Sequence, residues 1–228
     1  MQKGKNNDTF IPPNFDYASD TKHIEISNVL KNTYMLLAVT LLFSACTAGF
    51  SMLINLSHGM ALVCSLAALV TLFVVHKTAN SAKGLISVFV FTGLMGMSLG
   101  PMLSHYLSLA NGPSIVLQAL GGTALVFFAL SGYVLTTKKD FSFLGGFLMV
   151  GLIVAVIASI ALLFFNAPAM HLALSAMIVL LMSGLILFDT SRIIHGGETN
   201  YILATVSLYL NIYNLFTAML HLLGASDD

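Results

Sequence analysis

Long apolar runs alternate with short polar breaks along this chain, and the runs have the length of membrane spans. A helix needs roughly 20 apolar residues to cross the hydrocarbon core of a bilayer. Seven runs approach that length: 34–56, 59–75, 84–106, 114–135, 143–165, 170–194 and 201–223. The second is the shortest. Between them lie Asn55 to Gly59, Asn80 to Gly84, Asn111 to Pro113, Lys138 to Asp140, Asn166 to Pro168 and Gly196 to Asn200, all rich in the Asn, Gly, Pro and charged residues that break helices. The pattern predicts an all-α integral membrane protein. Its seven-transmembrane helix bundle fills residues 31–228 and follows a polar, flexible tail over residues 1–30. That tail lacks the apolar core of a secretory signal.

Composition agrees with the pattern. Hydrophobic residues make up 57% of the chain and charged residues only 8%, whereas a soluble domain is about a quarter charged. The nine basic residues are balanced by nine acidic ones, and they are spread over several short loops. No concentrated basic face exists to hold a nucleic acid. The partners this composition allows are the lipid bilayer and proteins within it.

Charge placement adds an orientation. Lys3, Lys5, Lys22 and Lys31 precede the first run, Lys77 and Lys83 lie between the second and third, Lys138 and Lys139 follow the fourth, and Arg192 closes the sixth. With seven crossings, all of them fall on one side. Cytoplasmic loops carry the excess of Lys and Arg, so the amino terminus is expected in the cytoplasm and the carboxyl terminus outside. Tyr34, Tyr106, Tyr133 and Tyr201 stand near span ends, where aromatic residues anchor helices at the interface. Gly93, Gly96 and Gly100 in the third run suit close helix packing in lipid, and Pro101 predicts a kink there.

The inventory of reactive groups is short. Cys46 and Cys64 lie inside spans without metal-site spacing, and the seven histidines are dispersed. No metal site, cofactor site or nucleophile–base pair can be assembled, so an intramembrane hydrolase, and an enzyme of any kind, is not expected. The spans hold a single carboxylate, Asp189. Ionisable groups inside a membrane are costly and mark function by default. Arg192, three residues on, is within reach of an ion pair across one helical turn, which offers a plainer reading as a helix-end charge pair. The last run favours a functional one. Ser207, Asn211 and Asn214 follow i, i+4, i+7 spacing and share one helix face. This stripe should point into the bundle, where Asn211 or the hydroxyls of Tyr209 and Tyr213 could reach Asp189 and form a buried polar latch or line an ion pathway.

Four segments together resemble one known family. They are "LGP" at Leu99 to Pro101, "GGTALVFFALSGYVLTTKKDFSFLGGFL" from Gly121 to Leu148, "ILFDTSRIIHGGETNY" from Ile186 to Tyr201, and "SLYLNIYNLF" from Ser207 to Phe216. They are similar to the Bax inhibitor-1 family, in particular to its bacterial inner-membrane branch. The resemblance implies a bundle of six helices around a hydrophobic seventh. It implies a multi-pass protein of the bacterial cell inner membrane, its carboxyl terminus then periplasmic, that inhibits the ATP-dependent membrane protease FtsH by contact with the protease or its associated membrane proteins. The alternative that the family implies is a calcium or proton leak channel, gated in some members by a proton shared between carboxylates of the sixth and seventh spans. Asp189 stands for the first of that pair, while Asn211 replaces the second. An amide has no charge with which to share a proton, so a latch without the acid pair is the expectation here.

Overall fold

The structure is a computed structural model that describes residues 17–165 and 167–225, with side chains described from residue 24. Seven helices follow in order: α1 Tyr17–Leu53, α2 His58–Thr78, α3 Ala82–Leu107, α4 Gly112–Thr137, α5 Gly145–Ala161 after a 3₁₀ turn Ser142–Leu144, α6 Pro168–Ile194 and α7 Tyr201–Gly224. All seven are long and apolar enough to cross a membrane. The expected runs and the observed helices differ by a few residues at most ends. The exception is the start of α1, which takes in residues 17–30 of the segment read as a flexible tail. No Gly or Pro follows Pro13 until the span begins, so nothing stops the helix from propagating backwards. Residues 1–16 lie outside the described residues.

Local chemistry ends the helices where the polar breaks predict. Lys138 closes α4 in a left-handed conformation, φ 51°, and its N–H bonds to the Val134 carbonyl. Gly196, φ 73°, ends α6, a conformation that costs a glycine little. Proline opens both α4 and α6 in the first turn, where its missing N–H is not needed. Asn200 serves two helices at once. Its Oδ1 accepts from Ile202 N and Leu203 N at the start of α7, while its Nδ2 donates to the Ala79 carbonyl, the C-cap of α2.

The bundle is built around α3 and α7, each more than half buried, whereas about a tenth of α5 is covered. Helices α1, α3, α4 and α6 pack directly on α7, while α2 lies along α3 and α5 along α6. The expected ring of six is thus four helices against α7, with two set further out. The seventh helix is also the least apolar of the spans, contrary to the expectation of a hydrophobic centre. Its neighbours are protein, so it can carry groups that lipid would not accept.

Helices α1 and α3 meet through small residues. A side chain at Gly96 would collide with Thr47 and the Ser44 backbone, and one at Gly100 with Ser51. This closeness also resolves the proline. Pro101 has no N–H to offer the Met97 carbonyl four residues back, yet α3 runs unbroken from Ala82 to Leu107. Ser51 Oγ of α1 donates to that carbonyl at 2.8 Å, replacing the missing bond from a neighbouring helix as lipid requires.

Replacing Ser51 with Ala removes the donor and adds no atom to the tight α1–α3 contact. We expect Ser51→Ala to destabilise the bundle by about 1–3 kcal/mol, the cost of a buried unpaired acceptor, read as a lower thermal midpoint in mild detergent. Gly121→Ala, where an added Cβ meets nothing within 4 Å, is the control that should leave it unchanged.

Candidate functional site

Asp189 lies five residues from the end of α6 and is buried, 9% exposed. Its two oxygens have different partners. Oδ2 accepts from Asn211 Nδ2 of α7 at 2.7 Å, and Oδ1 stands 3.9 Å from Arg192 Nη1 one turn along α6. The two readings of this acid therefore coexist. Asn211 supplies a short buried hydrogen bond, and Arg192 a longer attraction at the edge of the bundle.

The contact fixes how the helices are offset. Asp189 is about 7 Å from the end of its helix and Asn211 about 15 Å from the start of its own, at 1.5 Å per residue. With the two side chains level, α7 begins beyond the point where α6 stops. The connection 195–200 spans that step and turns back through Glu198, whose Oε2 lies 3.4 Å from Arg192 Nη2 and whose Oε1 accepts from Asn200 N at 3.0 Å. The side chain of Asn200 reaches Asn80 Oδ1 at 2.7 Å. A continuous polar relay thus runs from Asn211 through Asp189, Arg192, Glu198 and Asn200 to the turn between α2 and α3. Arg192 also lies over the Phe188 ring, 5.6 Å from its centroid.

The remaining residues singled out by sequence fall elsewhere. Tyr209 OH pairs with Ser44 Oγ at 2.7 Å, and Tyr213 OH with Ser98 Oγ at 3.0 Å, so both tyrosines tie α7 to α1 and α3 and neither bonds to Asp189. Helical phase explains it. Two residues turn a helix by about 200°, so Tyr209 and Tyr213, two residues to either side of Asn211, project from nearly the opposite face. Asn214 donates back to the Leu210 carbonyl of its own helix at 2.8 Å, and the half-buried Ser207 side chain forms no hydrogen bond among the described residues. Of the stripe, only Asn211 meets Asp189. Cys64 is buried in α2 and Cys46 exposed on α1.

Sequence reading missed a second cluster beside the first. Ser191, fully buried, accepts from Phe141 N at 2.9 Å, and its hydroxyl lies 3.4 Å from Asp140 Oδ1 and 3.3 Å from His195 Nδ1. His195 Nε2 faces the Lys138 carbonyl at 3.2 Å. Serine, histidine and aspartate come together here without forming a hydrolytic triad. A triad needs the acid to orient the imidazole, whereas this acid touches the alcohol and both ring nitrogens face carbonyl oxygens. The cluster instead pins the loop between α4 and α5 to the end of α6. The only sequence signal is a pair of polar segments 50 residues apart, which no spacing rule would join. Above it, Thr190 Oγ1 lies 3.4 Å from Ser131 Oγ of α4, and Ser131 in turn bonds to the Tyr34 hydroxyl of α1. Among the described residues no three His, Cys, Asp or Glu side chains gather as a metal site.

Two tests follow from this geometry. Asn211→Leu strands Asp189 Oδ2 in the bundle and should cost about 1–3 kcal/mol, whereas Asp189→Asn keeps an acceptor for Asn211 and should cost less. Thermal unfolding of the two variants in detergent ranks them. The second test concerns Asp140, which lies outside the spans. Hydrogen bonds from the Ser142 side chain and backbone hold its carboxyl below the ordinary value of 3.8. The charged form is thus favoured in the fold, so the contact is complete above 3.8 and lost as pH falls through the lowered value. Corrected for the intrinsic exchange rate, hydrogen-exchange protection over 138–144 should fall as the pH drops through that value in the wild type and should be low and independent of pH in Asp140→Ala.

Comparison with known proteins gives consistent matches. A family model described as "Inhibitor of apoptosis-promoting Bax1" matches residues 26–228. The Escherichia coli K12 protein named "Modulator of FtsH protease YccA" is 52% identical over 209 residues, covering 91% of this chain and 95% of that one. A second Escherichia coli strain has a protein named "Inner membrane protein YccA" with the same identity and coverage. An uncharacterized membrane protein of Vibrio cholerae is 52% identical over 206 residues, covering 90% and 92% of the two chains.

Proposed function

The chain belongs to the Bax inhibitor-1 family, and from that membership we propose that it is a modulator of the membrane protease FtsH, acting as an inhibitor through protein contact and with no chemistry of its own. The observation that carries the proposal is the 52% identity, across nearly the whole of both chains, to a protein named as a modulator of that protease. The seven apolar helices and the name of the second relative make it a multi-pass inner-membrane protein.

The proposal gives the basic end of the bundle a role. With the lysine-bearing loops in the cytoplasm, the polar relay through Asp189 and the Ser191 cluster lie on the face turned to a cytoplasmic ATP-driven machine. In this reading the Asp189–Asn211 bond is a latch that keeps the ends of α6 and α7 together, and residues 1–30 supply the segment the protease engages. The rest of the chain, 31–228, is the domain that holds that segment at the membrane.

Affinity purification of the full chain from native membranes in mild detergent should recover FtsH. Deletion should shorten, and overproduction lengthen, the half-lives of membrane substrates of the protease. Failure to recover the protease, together with unchanged turnover in both strains, would remove the reading.

A further inference from the structure

Beside α7, on the side away from Asp189, lies a cavity of about 510 Å³ between α1 and α4. The two helices touch at the lysine-bearing end, where Tyr34 bonds to Ser131 and its ring lies 6.0 Å from that of Phe127. Beyond that contact a crevice opens between them along α1 from Tyr34 to Met52. That stretch is about 27 Å long at 1.5 Å per residue, close to the roughly 30 Å of a bilayer's hydrocarbon core. Its floor is α7, with Tyr209, Ile212 and Phe216 buried beneath it. The rim is open because α1 places small exposed residues there, Ala38, Ala45 and Gly49.

The lining says what can occupy the space. It contains five hydroxyl groups, and each is already paired within the protein: Tyr34 with Ser131, Ser44 with Tyr209, Thr123 with the Ala119 carbonyl, and Tyr213 with Ser98. No polar group is left to hold water or an ion, so the crevice suits an apolar occupant. Size separates the candidates. A transmembrane helix about 11 Å across and equally long fills on the order of 2,500 Å³, several times the space available. A flexible acyl chain is slender enough to enter.

Charge at the lysine-bearing end of the crevice selects the headgroup. Lys31 lies one turn before Tyr34 on the same face of α1, and Lys138 two turns beyond Ser131 at the end of α4; both are exposed. The nearby acid, Asp140, is turned to Ser142. We propose that the crevice between α1 and α4 binds one acyl chain of an anionic phospholipid whose headgroup sits between Lys31 and Lys138. The inference is independent of the protease reading.

The chain contains no Trp, which allows a direct test. A single Phe127→Trp on the crevice wall, in the full chain reconstituted in vesicles, reports the approach of lipids brominated on their acyl chains. Brominated phosphatidylglycerol at low mole fraction should quench it in preference to brominated phosphatidylethanolamine, by a factor of about 30 for two surface lysines. Lys31→Gln with Lys138→Gln should reduce the preference to near unity, while Lys77→Gln with Lys83→Gln, at the same end but on α2 and α3, should preserve it. Ala45→Phe with Gly49→Phe should abolish quenching, with an unchanged elution profile as the check on folding. Equal quenching by the two lipids would overturn the proposal, as would a preference that survives loss of Lys31 and Lys138. A tryptophan shielded from both lipids, as when a protein segment fills the crevice, would overturn it too.

Discussion

Within a bilayer a polar side chain is costly unless another group of the protein answers it, and the position of α7 follows from that constraint. This helix carries Asn211, Asn214, Tyr209, Tyr213 and Thr205, too many hydrogen-bonding groups to face lipid. It is surrounded by α1, α3, α4 and α6, and those helices bring the partners: Ser44 and Ser98 for the tyrosines, Asp189 for Asn211, and the Thr33 carbonyl for Thr205. By contrast α5 is almost wholly aliphatic and lies at the edge. The arrangement from centre to rim follows the polarity of the helices in the sense opposite to a soluble protein.

The same constraint explains how the bundle tolerates Pro101. The carbonyl that proline leaves unpaired is met by Ser51 across the α1–α3 contact, and that contact is close because Gly96 and Gly100 carry no side chain. The glycines and the proline therefore belong to one device. A serine on one helix supplies what the next cannot, and small residues bring it within reach.

At the basic end the connecting segments are joined to one another. Asn200 ties the start of α7 to the end of α2, Glu198 turns back to Arg192, and Ser191 holds the α4–α5 loop. Three turns distant in sequence thus form one polar surface, coupled to the interior through Asp189. A surface held together at several points keeps one shape, as free loops would not.

Much of this was legible in the chain itself. The apolar run lengths determined the seven spans, because the thickness of a bilayer admits few alternatives, and the placement of lysines sorted the loops into two sets. Asp189 stood out as the lone intramembrane acid, and Asn211 as its candidate partner from the spacing of one helix face. Helical phase is also a property of the sequence, and it separates Tyr209 and Tyr213 from Asn211. What only the tertiary structure decided was every relation between helices: the step between α6 and α7, the four neighbours of the seventh helix, the meeting of Ser191 with the 138–141 loop, and the gap between α1 and α4. Periodicity assigns a side chain to a face of its own helix, but which helix lies opposite, and at what depth, depends on how the whole set of spans packs together.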